Sequence, residues 1–206
     1  MSEWLLEVEN LAIGFEDRTI ATEIDLRLGP SQAALVAGHN GTGKTTLLRT
    51  LFGLLPPLAG NGHVLGRELG SLSPRELVRR GARLLGQGVR GFPGLSVRGS
   101  QRVLADLYGF PVVQPLPNPE LPPGRRVGDL SVGQRRLEAV NLLRPGSPCL
   151  FLLDEPIGSV DWRFAEEISS WIALEKSRGV GFLVVEHRLG ALEGLFDFTL
   201  TFGSTV

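Results

Sequence analysis

Residues 38 to 45 read Gly-His-Asn-Gly-Thr-Gly-Lys-Thr, the pattern GxxxxGK[ST], and the flanks of this octet narrow the possible folds more than any other feature. Before it, Ala33-Ala34-Leu35-Val36-Ala37 is a continuous apolar run, as expected of a strand covered on both faces. After it, Leu47, Leu48, Leu51 and Phe52 mark one side of a helix that Pro56-Pro57 stops. Two further apolar runs, Cys149-Leu153 and Val180-Val185, enclose a helical stripe of Phe164, Ile168, Trp171 and Ile172 that Gly179 ends. Strand alternating with helix implies an α/β chain whose parallel strands are joined by crossover helices.

The opening residues follow a different rhythm. Ile20, Thr22, Ile24, Leu26 and Leu28 alternate over a polar set, and Leu5-Phe15 supplies a partner, so the chain starts with antiparallel β-structure. Ser73-Pro74-Arg75-Glu76 combines an N-cap, a first-turn proline and a capping-box glutamate; with Gly81 as the stop it predicts a short helix, followed by a brief strand at Ala82-Leu85. A helix is expected around Val97-Leu107, then a proline-stiffened loop from Pro111 to Gly124. Ser131-Val132-Gly133-Gln134 opens another capped helix, closed by Pro145 to Pro148.

Length and composition fit one soluble domain: 206 residues, 42% hydrophobic and 21% charged. The excess is in turn-formers, with 27 Gly and 14 Pro, and it points to tight turns and to backbone approaching a ligand. A net charge of -1 disfavours a nucleic-acid partner. Only Lys44 and Lys176 are lysines among 21 basic residues, which singles out the lysine of the octet. Cys149, the one cysteine, has no disulfide partner within the chain and reads as an inert buried thiol. No apolar stretch reaches the ~18–20 residues of a membrane span, and Met1-Glu7 lacks a signal-peptide pattern, so a cytoplasmic location is expected.

The octet also carries the chemistry. Its glycines let backbone N–H groups face an anion, and the helix that follows adds its positive end. Lys44 reaches the β- and γ-phosphates of a nucleotide, and the Thr45 hydroxyl suits Mg2+. Leu150-Phe151-Leu152-Leu153-Asp154-Glu155-Pro156 sets two carboxylates at the carboxyl end of a buried strand, where open α/β sheets bind ligands. Asp154 is the candidate for holding Mg2+, and Glu155 for polarising the water that attacks the γ-phosphate. A soluble phosphotransferase, or a nucleotide-sensing subunit without turnover, would share the octet.

With Leu130-Ser131-Val132-Gly133-Gln134 standing before that acidic strand, the chain resembles the ABC-type ATPases, whose signature is LSGGQ; Val132 replaces a glycine of that signature. The resemblance runs from about residue 5 to 202 and implies a P-loop NTPase (RecA-like) core with an N-terminal antiparallel β-subdomain and a short helical subdomain. It divides a single domain into mainly antiparallel β over 1–35, core over 36–86 and 143–206, and a helical subdomain over 88–142. It implies that ATP meets Phe15 through adenine stacking, and Gly38, His39, Asn40, Gly41, Thr42, Gly43, Lys44, Thr45 and Thr46 through its phosphates. Ser131, Gly133, Gln134 and Asp161 would meet the ATP of a second copy. Gln87 takes the place of the glutamine that touches Mg2+ and water, Gly158-Ser159-Val160-Asp161 that of the D-loop, and His187 that of the histidine beside the γ-phosphate. Phe15 could equally be a core aromatic, and Asp161 an N-cap for a helix starting at Trp162.

The family pattern further implies two ATPase subunits, identical or paralogous, pairing head to tail around two ATP molecules. It also implies integral membrane permease subunits docking near Gln87 to Arg102, around Arg90 and Phe92, at the inner face of the membrane. Short matches at Phe92-Val97, Leu137-Glu138 and Val184-His187 are similar to subunits of branched-chain amino acid and urea importers.

Overall fold

The computed structural model describes residues 3–87, 91–111, 121–158 and 160–202. In chain order the elements are β1 (Leu6–Phe15), β2 (Arg18–Leu28), β3 (Ala33–Gly38), α1 (Lys44–Leu51), β4 (Ala59–Val64), β5 (Arg67–Glu68), α2 (Pro74–Arg80), β6 (Ala82–Leu85), α3 (Val97–Tyr108), α4 (Val132–Leu143), β7 (Leu150–Asp154), α5 (Trp162–Ser177), β8 (Gly181–Val185) and β9 (Phe198–Phe202). A 3-10 turn at Val127–Asp129 precedes α4. Among the described residues no helix is long and apolar enough to cross a membrane.

Two sheets face each other. One is antiparallel, in the order β2-β1-β4-β5; the other is parallel, in the order β6-β7-β8-β3-β9. The apolar runs of the parallel sheet are continuous because both faces are covered. Along β7, Leu150 and Leu152 enter a core shared with the antiparallel sheet and α1, where they join Leu6, Leu11, Leu28 and Leu47. Their neighbours Phe151 and Leu153 point the other way, into a core with α4 and α5 that holds Leu137, Ile168 and Trp171. β8 divides likewise, with Leu183 and Val185 on one side and Phe182 and Val184 on the other. Phe151 and Phe182 stack at 5.1 Å, and Trp171 meets both edge-on. Each fully buried Leu or Phe of these cores contributes about 1.5–3 kcal/mol.

The caps form as their residues dictate. The Ser73 hydroxyl accepts from Glu76 N while Glu76 answers at Ser73 N, and Gly81 ends α2 at a φ of 105°, where a side chain would be strained. Ser131 and Gln134 form the same reciprocal box at α4. Asp161 departs from expectation: it stands at the N-cap position of α5, but its side chain makes no capping hydrogen bond. Strands β4 and β5 lack a signal of their own in the sequence, β4 pairing with β1 and β5 with β4, whereas β9, an alternating Phe198-Thr199-Leu200-Thr201-Phe202, is a further unexpected strand that pairs with β3. Most of the proline loop, with Val112 to Pro117, lies outside the described residues, as do Arg90 and Ser159.

Candidate active site

The octet connects the carboxyl end of β3 to α1. Gly38, Gly41 and Gly43 all have positive φ, at 149°, 83° and 103°. A side chain at Gly38 would also strike Phe202 O at 2.5 Å, and one at Gly43 would strike Ile20 of β2 at 2.6 Å. Ile20 thus brings the start of the second strand against the loop, and Phe15 caps the same hairpin, 47% exposed. Phe15 is therefore a surface aromatic and not a core one. Thr42 Oγ1 donates to His39 O at 2.9 Å, closing the turn, while the His39 and Asn40 side chains face outward. Gly43 offers α1 no side-chain cap and the first turn holds no acidic residue, so the helix's leading N–H groups and its positive end are left for an anion.

Lys44 is almost wholly buried and arches back over the loop, where Nζ donates to Gly38 O and His39 O at 2.7 Å each. Burial lowers its pKa, opposed by Asp154 and Glu155. Thr46, also buried, backs the turn.

Asp154 ends β7 and is 1% exposed. Its Oδ2 accepts from Thr45 Oγ1 at 2.8 Å, whereas its Oδ1 is buried with no hydrogen-bond partner. Burial pushes this carboxyl upward; the Thr45 hydrogen bond pulls the other way. A buried carboxylate oxygen without a partner, beside a hydroxyl, fits a hard divalent cation that takes its remaining ligands from phosphate and water. Among the described residues no three His, Cys, Asp or Glu side chains cluster as a metal cage.

Glu155 adopts a φ of 51°, a left-handed conformation costing about 1–3 kcal/mol for such a residue. It is held there by its own N–H, which donates to Val185 O at 2.8 Å, and by its carbonyl, which accepts from Gly158 N at 3.2 Å. The strained turn swings its carboxylate toward two side chains from distant segments. Gln87 Nε2 donates to Glu155 Oε1 at 3.3 Å, and His187 Nε2 lies 3.5 Å from the same oxygen. All three groups are partly open to solvent, so a water molecule can enter among them.

Ser131, Gly133 and Gln134 gather at the start of α4, apart from the catalytic cluster. Ser131 and Val132 are exposed, while Gln134 is buried with its Oε1 accepting from Ser131 N. Gly133 is buried too: a side chain there would lie 2.4 Å from Phe164 Cδ2. This glycine thus serves the packing of α4 on α5.

Two residues absent from the sequence expectations complete the cluster. Arg136 of α4 donates to the carbonyls of Asp154 and Glu155, to Pro156 O at 3.1 Å and to Gly86 O at 3.5 Å. Glu186 accepts from Ile157 N at 3.2 Å, His187 N at 2.9 Å and Arg188 N at 3.4 Å. The sequence-level signal for both is faint: a charge beside the signature motif and a charge between a buried strand and a histidine.

A family model described as ABC transporter matches residues 21–158. The spermidine/putrescine import ATP-binding protein PotA of Pseudomonas aeruginosa is 31% identical over 200 residues, covering 92% of this chain and 54% of that protein. The chain therefore spans about half the length of that relative. The phosphonates import ATP-binding protein PhnC of Trichormus variabilis is 30% identical over 212 residues, covering 92% of this chain and 86% of the relative. The fold is shared with a dimeric structure of a post-hydrolysis state of the ATP-binding cassette MJ0796 bound to ADP and Pi, at a TM-score of 0.80, with 16% identity, 96% of this chain and 94% of that one covered.

Proposed function

The chain belongs to the ABC transporter family, and we propose that it is the ATP-binding and ATP-hydrolysing subunit of a transporter whose membrane-spanning parts are separate proteins. The observation that carries this reading is the convergence of Gln87 and His187 on Glu155 Oε1, beside a loop built to hold phosphates. A nucleotide-binding module without turnover would not need a carboxylate held in a strained turn between a glutamine and an imidazole.

In this reading Gly38 to Thr46 wrap the phosphates, with Lys44 exchanging its carbonyl partners for phosphate oxygens, and Phe15 stacks on adenine. Thr45, Asp154 and Gln87 would hold Mg2+, which when bound would offset the charge that builds on the phosphate oxygens. Glu155 accepts hydrogen from the attacking water, and His187 steadies the γ-phosphate and the Glu155 carboxylate together. Lys44 stabilises the charge that accumulates during transfer.

Ser131, Gly133, Gln134 and Asp161 then belong to the ATP of a second subunit, a copy or a paralogue, a reading supported by the exposure of Ser131 and Asp161. The membrane partner docks between Gln87 and Arg102, where α3 presents Arg98, Arg102, Val103 and Leu107 to solvent. In this reading the chain works in the cytoplasm against the inner face of the membrane, as one domain whose region 88–142 receives the permease. The branched-chain amino acid or urea likeness rests on short matches only, and the cargo is set by the membrane partner.

The test is phosphate release from ATP by the purified chain with and without Mg2+, compared with Lys44→Ala. Turnover that requires both Mg2+ and Lys44 supports the reading. Tight ATP binding without any turnover, including at high protein concentration, would reject it.

A further inference from the structure

Arg136 sits where three chain segments meet. Gly86, whose carbonyl it reaches, precedes Gln87; Asp154, Glu155 and Pro156, whose carbonyls it also holds, form the acidic turn. Glu186 closes the arrangement from the opposite side, with its carboxylate on the N–H of Ile157 in that turn and on the N–H of His187. Arg136 and Glu186 attract each other electrostatically, along with Asp154 and Glu155. All four carbonyl contacts of Arg136 go to backbone, so the guanidinium sets where the turn lies without occupying the water-binding face.

Glu155 is the residue in that turn least able to hold its own conformation, because its positive φ disfavours any side chain. Its geometry is held from outside, by Val185 O on its N–H, by Gly158 N on its carbonyl, and by Arg136 of α4, three residues after Gly133. One helix therefore carries both the start of α4 and the guanidinium that holds the carbonyls of Asp154 and Glu155, so the two ends are linked reciprocally.

We propose that Arg136 is a positioning residue for ATP hydrolysis, coupling the start of α4 to the placement of Glu155 and Gln87 in the same chain, with Glu186 holding His187 to the same turn. This rests on the ATPase reading above, and on α4 meeting the nucleotide of a second subunit. Through Arg136, occupancy at one site adjusts the water-activating group of the other.

The experiment uses the full chain as Arg136→Met, Arg136→Lys and Glu186→Gln, with Mg2+-ATP turnover, fluorescent-ATP binding and circular dichroism measured on each. Arg136→Met is expected to lower kcat about 10- to 100-fold while KM and the binding constant change less than about threefold, because positioning acts on the reacting geometry. Arg136→Lys, which keeps the charge but loses the fork, falls between, and Glu186→Gln lowers kcat in the same manner. In a Glu155→Gln background, Arg136→Met still dimerises on ATP. A kcat within threefold of the parent in the folded variants, a loss residing in KM, or a loss of ATP-driven dimerisation would overturn the proposal. Should Arg136→Met fail to fold, Arg136→Lys and Glu186→Gln decide by the same criteria. A parent chain without turnover overturns the underlying ATPase reading instead, and this inference with it.

Discussion

Thr45 and Asp154 lie 109 residues apart in the chain and meet hydroxyl to carboxylate at 2.8 Å, while the second oxygen of that carboxylate is buried without a partner. The contact joins the glycine-rich loop to the acidic strand. Asp154→Asn retains the shape and an acceptor for Thr45 but removes the charge. We expect Mg2+-dependent turnover to fall at least about 100-fold, with nucleotide binding in the absence of Mg2+ little changed. Because burial already disfavours the ionised form here, the variant should be no less stable than the parent in thermal melts without Mg2+. Mg2+ titrations of turnover and of nucleotide binding check both points.

Glu155→Gln leaves Gln87 and His187 with a polar neighbour but removes the basic oxygen. Turnover should fall about 10²- to 10⁴-fold, the range for losing a general base, and ATP should then hold two chains together. Size-exclusion light scattering with ATP and Mg2+ measures this; a variant that stays monomeric in saturating ATP would contradict the paired arrangement.

Glu138 lies inside α4, fully buried, with neither carboxyl oxygen hydrogen-bonded among the described residues, and burial pushes its pKa up to about 8. The folded state therefore keeps this proton while the unfolded chain, with a pKa near 4.5, gives it up. Stability is undiminished below pH 4.5 and declines as pH rises toward 8, by a few kcal/mol on the order-of-magnitude linkage scale. Glu138→Gln should flatten that pH dependence, and Glu138→Leu should raise the melting temperature at pH 8 more than at pH 5. Urea denaturation at several pH values tests the sign.

Gly133→Ala places a methyl group against the Phe164 ring. Overpacking of this kind costs about 1–3 kcal/mol, and Phe164→Leu in the same chain should recover part of it. A double-mutant cycle in urea showing no coupling between the two positions would mean that α4 and α5 adjust independently.

Much of the fold was legible because its signals are local. The octet fixed the β3-to-α1 turn, the unbroken apolar runs marked β7 and β8, and Ser73, Gly81 and Ser131 marked helix ends by their own hydrogen bonds or backbone angles. The missed strands are those whose reason lies elsewhere in the chain. β4 contains Gly60 and Gly62, poor strand formers, and its glycines are needed because a side chain would collide with the backbone of Asn10 and Glu7 across the pairing. β9 is the exception: an edge strand whose Phe198-Thr199-Leu200-Thr201-Phe202 alternation is itself a strand pattern.

The site divides in the same way. Lys44, Thr45, Asp154 and Glu155 were readable from motifs, and Gln87 and His187 from resemblance, because each is tied to a short pattern. Arg136 and Glu186 act on backbone atoms brought to them by tertiary structure, and no pattern of side chains announces such a role. The packing demand on Gly133 was not legible, because the Phe164 ring that a side chain would strike lies 31 residues further along the chain.

The division of β7 between two cores has a mechanical consequence. A strand gripped by Leu152 on one face and Phe151 on the other cannot slide or tilt without disturbing both halves of the molecule. Asp154, at its tip, is thus anchored by its whole strand, whereas Gln87 and His187 stand on segments between elements. A probe at Leu152 or Phe151 would therefore report disturbance of either half of the molecule, not of one alone.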